Sequence, residues 1–353
     1  MRRASSFGLA IGLAFTAGCD RKHPPVSSSP PASSPSLSSS SSPSPSSSPL
    51  SPSSSPANAG VQVASSPSCK LAAVPLRYPQ PKRLVAIGDL HGDLAATRAV
   101  LRAAGAIDAT DHWSGKDLVV VQTGDVLDRG NDEQAILDLL ARLEDEAHAA
   151  DGALILLIGN HELMNAAGDL RYVTEGGFTD FDDAPGVVPA TDPRIPPLAR
   201  GRIGALEPGG IYAKRIAQHA VIAIVGDTVF SHAGVLAAWV PQVDAANTSA
   251  RCWLSGQAGG IDAPPAVLTV DESPVWTRAY GGTQADCAGL AATLTALGAT
   301  RMVVGHTVQS GGINSLCAGT LWRIDVGLSS AYNGPIQALE LSGAAAKILT
   351  GSR

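Results

Sequence analysis

The sequence predicts an α/β layered fold for residues 71–353, on two observations. Short β-branched runs alternate with longer Ala/Leu-rich segments at helical spacing. Nearly every short run is followed at once by polar, Gly-rich punctuation, and in sheets built this way ligands sit beyond the carboxyl ends of the strands.

In chain order, residues 84–87 form the first buried strand, and 94–104 a helix that stops at Gly105, as a helix with a left-handed cap should. A strand at 118–122, a helix at 133–149 and a strand at 153–158 follow. Residues 169–210 are rich in Asp, Pro and Gly and read as a cap or rim loop over one end, outside the core. Strands at 221–225 and 229–230, a helix at 287–297 ending before Gly298, and strands at 302–304, 321–325 and 338–341 complete the pattern. No internal repeat is visible.

The N-terminal part is different in kind. Residues 1–18 carry Arg2 and Arg3, an apolar run from Phe7 to Phe15 and small residues before Cys19, the layout of an export signal. The apolar run is too short to span a bilayer. Phe15-Thr-Ala-Gly-Cys19 resembles a bacterial lipobox with Thr16 in place of the usual Leu; Cys19 is therefore expected to carry a lipid that anchors the chain to a membrane, a plain cleaved signal being the alternative. Residues 19–70 are expected to be a disordered tether, since from 24 to 68 they are almost wholly Ser, Pro, Ala and Gly, with too little apolar area to offset chain entropy. Where proline-rich, such a tether extends at about 3 Å per residue. An O-glycosylated stalk has the same composition. The expected place of work is outside a bacterial cytoplasm, in the periplasm or at the cell surface.

Of 25 Lys+Arg and 31 Asp+Glu, five and one lie in residues 1–70, which leaves a formal charge of −10 on the rest. Nucleic acid is excluded as a natural partner on that balance, and part of the acidic excess is expected to hold cations. With Cys19 set aside, Cys69, Cys252, Cys287 and Cys317 remain, with no CxxC spacing. Their three possible pairings stay open, as do buried free thiols.

The chemistry collects at the strand ends. The first strand runs into Gly88-Asp-Leu-His-Gly92, the second into Gly124-Asp-Val-Leu-Asp-Arg-Gly130, the third into Gly159-Asn-His-Glu162. Later strands lead to Ser231-His-Ala-Gly234 and Gly305-His-Thr307. Singly, each could be a turn with surface charges; in succession they bring Asp, His and Asn, the residue types that ligate metals, to one edge of the fold.

These blocks, in this order, resemble the calcineurin-like metallophosphoesterases, and within them the phosphoprotein phosphatase branch. Pro274-Val-Trp-Thr-Arg278 and Ile324-Asp-Val-Gly-Leu-Ser329 look like the bacterial Shewanella-like phosphatases rather than the animal serine/threonine enzymes. The resemblance implies a sandwich of two mixed β-sheets flanked by helices. It implies Asp89, His91 and a bridging Asp125 around one metal, and Asp125, Asn160, His232 and His306 around a second, with Mn, Fe or Zn suited to oxygen and imidazole donors. Two such ions about 3.5–4 Å apart activate a bridging water for direct attack on phosphorus. The same resemblance sets Arg129 and Arg278 against the phosphate and makes His161, held by Asp128, the acid that protonates the leaving oxygen. Ala233 stands where the animal enzymes have Gly, and the late loop through Tyr332 replaces theirs, so substrate choice is expected to depend on that loop and on Arg171, Tyr172 and Phe178 in the cap. The expected partner is a phosphorylated protein or peptide, on Ser/Thr or Tyr. Rival readings are a nucleotide or small-ester phosphoesterase of the diadenosine tetraphosphate hydrolase kind, and a tethered binding protein that has lost the reaction.

Overall fold

A computed structural model describes residues 69–353; the expected export signal, the lipidated Cys19 and the tether up to residue 68 lie outside the described residues. The chain runs through β1 (Arg77–Tyr78), β2 (Leu84–Ile87), α1 (Leu94–Ala104), β3 (Val119–Gln122), α2 (Glu133–Ala149), β4 (Ala153–Leu156) and α3 (Asn160–Ala166). Then come α4 (Arg200–Leu206), α5 (Ile211–Ile216), β5 (Ile222–Val225), β6 (Thr228–Ser231), α6 (Val243–Leu254), α7 (Ala266–Thr269) and α8 (Cys287–Ala296). The last strands are β7 (Arg301–Val304), β8 (Asn314–Leu316), β9 (Leu321–Arg323), β10 (Gln337–Ser342) and β11 (Ala345–Thr350).

Strands too apolar to face water on either side become the centres of two mixed sheets. In the order β11-β10-β2-β3-β4, the strands β2, β3 and β4 are parallel and the β10–β11 hairpin joins antiparallel to β2. In the order β1-β5-β6-β7-β9-β8, the strands β6, β7 and β9 are parallel. Every residue of β2, β5, β6 and β7 is buried, as parallel strands covered on both faces require. The parallel arrangement gives β2, β3 and β4 one shared carboxyl edge, and β6, β7 and β9 another. Helix α1 is fixed at both ends by its own sequence: the Asp93 carboxylate accepts from the Ala96 N–H at 2.8 Å, and Gly105 takes φ 70°.

The α/β sandwich of two mixed sheets is therefore as expected, and the expected strand centres fall within the observed ones. Two things differ, and one open point is settled. The segment 169–210 is not outside the core: Phe181, Ala205 and Leu206 join the main hydrophobic cluster, and Arg202 is fully buried. Its Asp, Pro and Gly content masked a few well-spaced apolar residues that fold α4 inward. The folded part also begins earlier than 71, because Cys69 is bonded to Cys252 and the Lys70 N–H donates to Gln257 Oε1 at 2.7 Å. The open cysteine question closes as Cys69–Cys252 and Cys287–Cys317.

Elements β1, β8, β11 and α3 to α7 carry no clear signature in the sequence. Helix α3 is buried on every side, so it has no apolar stripe to betray it. Among the described residues no helix is long and apolar enough to cross a membrane.

Candidate metal centre and phosphate site

Each expected ligand is delivered by a strand end, and three of the six have unusual backbone. Asp89 and His91 follow β2, Asp125 follows β3, Asn160 opens α3 after β4, His232 follows β6 and His306 follows β7. His91, Asp125 and His306 have φ of 47°, 57° and 66°, left-handed values that cost an L-residue about 1–3 kcal/mol each and are held only where surroundings over-determine them. Asp128 and Arg129 sit there too, at 68° and 67°.

The restraint on this loop is Glu162, which the sequence offered only as the last letter of a block. Its buried carboxylate accepts from the backbone N–H groups of Asp125 (2.9 Å), Val126 (2.8 Å), Leu127 (3.2 Å) and Gly159 (2.7 Å). Close backbone approach finishes the geometry: a Cβ on Gly159 would meet Asp125 Oδ1 at 2.1 Å, and one on Gly130 the Gly92 carbonyl at 2.2 Å. The glycines that punctuate the blocks are there because nothing larger fits.

Two groups of metal-ligating side chains converge, sharing Asp125. His91, Asp125 and His161 form one, Asp125, His232 and His306 the other, with the donor atoms of each within 4.8 Å of one another. His232 Nδ1 is engaged by the Thr123 carbonyl at 2.9 Å, so that nitrogen carries the proton and Nε2 offers its lone pair. That Nε2 faces Asn160 Oδ1 at 2.8 Å, His306 Nδ1 at 3.1 Å and Asp125 Oδ2 at 3.3 Å. His91 repeats the device, Nδ1 against the Leu127 carbonyl at 3.0 Å and Nε2 towards Asp125 Oδ2 at 3.9 Å. Buried acceptors aimed at acceptors repel unless a cation lies among them, so the donor set fits divalent metal. Asp325 Oδ2 nearby is buried with no hydrogen-bond partner, another polar atom that calls for an explanation.

Asp89 is placed less directly. It is buried, and its oxygens accept from the His306 N–H at 3.2 and 3.1 Å. Burial, and then the neighbouring Asp325 and Asp125 carboxylates, push it well above the usual range. Burial raises Asp325 to about 6, and lowers His91 to about 4 and His306, with help from His232, to about 2. Imidazoles held neutral are ready ligands. Asp325 is a site residue that sequence reasoning did not single out, although it lies just beyond a strand end, as the others do.

His161 sits beside the shared carboxylate. Its Nδ1 is 2.5 Å from Asp128 Oδ2, which leaves Nε2 facing Asp125 Oδ2 at 3.7 Å and Arg129 Nη2 at 3.3 Å. Burial disfavours the charged ring, but Asp125 and Asp128 outweigh it and raise His161 above its ordinary value. The Arg129 guanidinium lies 4.7 Å from the Tyr172 ring centre and 5.1 Å from that of Tyr332. Arg278 is exposed and donates to Thr307 Oγ1 at 3.1 Å, beside His306. Arg171, by contrast, is engaged with Asp169 at 2.7 Å.

Two groups of ligand-type side chains that share one carboxylate thus lie at the strand ends of two mixed sheets. Residues 82–310 match the calcineurin-like phosphoesterase family, and the chain belongs to it. It is a metal-dependent phosphatase, a hydrolase that acts on a phosphorylated protein or another phosphate ester. Within the family it is 39% identical to Shewanella-like protein phosphatase 2 of Arabidopsis thaliana over 304 residues, 77% of this chain and 78% of that one. It is 30% identical to Shewanella-like protein phosphatase 1 of Plasmodium berghei (strain Anka), across 71% of this chain and 68% of the other. Among solved structures, a cold-active protein tyrosine phosphatase superposes with a TM-score of 0.61 at 25% identity, covering 78% of this chain and 81% of that one.

Proposed function

We propose that the chain is a dinuclear phosphomonoesterase for phosphorylated protein side chains, with aryl phosphates such as phosphotyrosine as its preferred esters. The observation that carries the reading is the sharing of Asp125 between two ligand groups, with the His161–Asp128 pair beside it. His91 and Asp125 of the first group, joined by Asp89, would hold one ion, while His161, its Nδ1 engaged by Asp128, is kept for the acid; Asp125, Asn160, His232 and His306 would hold the other, and manganese suits this donor set, with iron or zinc as alternatives. Bound there, the ions would supply an activated nucleophile and neutralise charge on the phosphoryl group.

The protein's own residues do the rest. Arg129 and Arg278 bind phosphate oxygens, a planar fork being suited to paired contacts. His161 Nε2, with the proton that Asp128 helps retain, protonates the departing oxygen. Tyr172 and Tyr332, 40% and 37% exposed, lie against the Arg129 guanidinium and offer aromatic surface beside it on which a flat aromatic leaving group would pack. The similarity to a cold-active protein tyrosine phosphatase supports the same preference. Two disulfides accord with an oxidising compartment, and we extend the proposal to export, with a lipid on Cys19 as the anchor.

The test is turnover by metal-loaded protein on phosphotyrosine, phosphoserine and phosphothreonine peptides, nucleotides and small esters, before and after chelation. Phosphotyrosine peptides should lead, and activity should vanish with the metal and return with manganese. A clear preference for nucleotides would replace the protein-phosphatase reading, and no hydrolysis of any ester would leave only a binding protein. His161→Ala should lower kcat by about 10²-fold or more on phenyl phosphate while retaining its metal and most of its rate on a very acidic leaving group.

A further inference from the structure

The cap segment sends one charged side chain wholly inward. Arg202, on α4, is fully buried, and all five of its N–H donors are used. Its Nε donates to Asn165 Oδ1 at 2.9 Å, Nη1 to the Gly177 carbonyl at 2.8 Å and to Glu133 Oε2, and Nη2 to Glu133 Oε1 at 2.9 Å and Asp128 Oδ1 at 3.1 Å. Phe181 lies under the guanidinium, its ring centre 5.5 Å away.

These bonds close a ring around the pair that carries the acid. Asp128 gives Oδ2 to the His161 ring, so its direction is set by what grips Oδ1: Arg202 and the Asn165 amide, the latter at 3.0 Å. Asn165 Nδ2 also donates to the His161 carbonyl at 2.9 Å, while Arg202 fixes its oxygen. Glu133 accepts from the Asp128 backbone N–H as well as from Arg202, holding Asp128 in its left-handed conformation. One guanidinium thus restrains the carboxylate, the amide and the backbone that aim the imidazole, and offsets the repulsion between two buried acids, Asp128 and Glu133.

We propose that Arg202 is a positioning residue for the proton donor, so that the cap, through α4, sets the aim of His161 towards the leaving oxygen. The inference rests on His161 being the acid. With Arg202 removed, the Asp128 carboxylate can turn and the ring with it, and a misplacement of about 1 Å costs on the order of 10²-fold in rate. That loss should fall on esters that need a proton and spare those that leave without one.

The test compares kcat on phenyl phosphate and on 2,4-dinitrophenyl phosphate for the full metal-loaded chain, with metal content measured for every variant. Arg202→Met alone strands Glu133 as a buried charge, so the informative forms are Arg202→Met with Glu133→Gln, and Arg202→Lys. The double variant should lose about thirtyfold on phenyl phosphate and less than about threefold on the dinitrophenyl ester, with metal unchanged. Arg202→Lys should recover part of the loss. Equal losses on both esters, no loss on either, or failure of both variants to fold would overturn the inference and assign Arg202 to cap stability. His161→Ala in the same assay separates the two claims: if it shows no leaving-group split, the acid reading itself fails; if it does and the Arg202 variants do not, only the positioning role is lost.

Discussion

At the scale of single residues, the site depends on groups that never touch a phosphate. Glu162 is the sharpest case, since one carboxylate satisfies three backbone N–H groups of the loop that carries left-handed Asp125, Asp128 and Arg129, and a fourth at Gly159. An unsatisfied buried donor costs about 1–3 kcal/mol. Glu162→Ala should therefore lower unfolding free energy by about 4 kcal/mol or more, read from urea denaturation; a loss below about 1 kcal/mol would show that water replaces the carboxylate freely. The residues proposed as ligands stood out in the sequence because each follows a strand within a block that carries a glycine. Glu162, Arg202 and Asp325 did not. Arg202 reaches Glu133 and Asp128 across 69 and 74 residues, and no local pattern announces a partner at that separation. Asp325 did stand at a strand end, but without the His or second Asp that made the other junctions conspicuous.

At the scale of elements, the helices with a stripe or a cap were readable, and those folded around small or wholly buried residues were not. Helix α2 shows how such an element is then fixed to its surroundings. Glu146, near its end, accepts from the Trp113 N–H at 2.7 Å, meets His112 Nδ1 at 2.8 Å and takes Arg142 Nη1 at 2.6 Å. Burial alone would raise this carboxyl, but the Trp113 N–H and then Arg142 and His112 hold it at about 2 against an ordinary 4.5. A depressed folded value means that the contribution is complete above pH 4.5 and disappears as pH falls through about 2. Glu146→Gln should cost about 1 kcal/mol at pH 7, a figure kept low by its partly exposed setting. The gap between variant and parent in thermal unfolding should close below pH 4.5; a gap that persisted unchanged at pH 2 would assign it to packing.

At the scale of the whole molecule, the centre is assembled from both sheets. Asp89 comes from one and His306 from the other, 217 residues apart in the chain. The sequence displayed the ligand blocks in order but not how distant ends meet, because pairing across that length is decided by the packing of sheets rather than by neighbours. The two disulfides act at this scale. Cys287–Cys317 spans 30 residues, and closing a loop of that size stabilises by about 3–4 kcal/mol on the chain-entropy account. Cys287→Ser with Cys317→Ser should lower stability by that order in denaturant titration, while a change below about 1 kcal/mol would mean that the segment is held by its packing alone.

The same bond has a consequence in time. His306 lies between Cys287 and Cys317, so the bond, once formed, holds the last candidate ligand loop in a short hoop. Long-range encounters are the slow ones in folding, and this hoop leaves β7 and its histidine to dock as one piece instead of as a free end. Metal can be gripped only after that docking. Uptake of manganese during refolding should therefore lag when the thiols are kept reduced, and equal rates in both redox states would show that the hoop is not a step on the path. If the lag is seen, the disulfide sets when the candidate metal site can assemble.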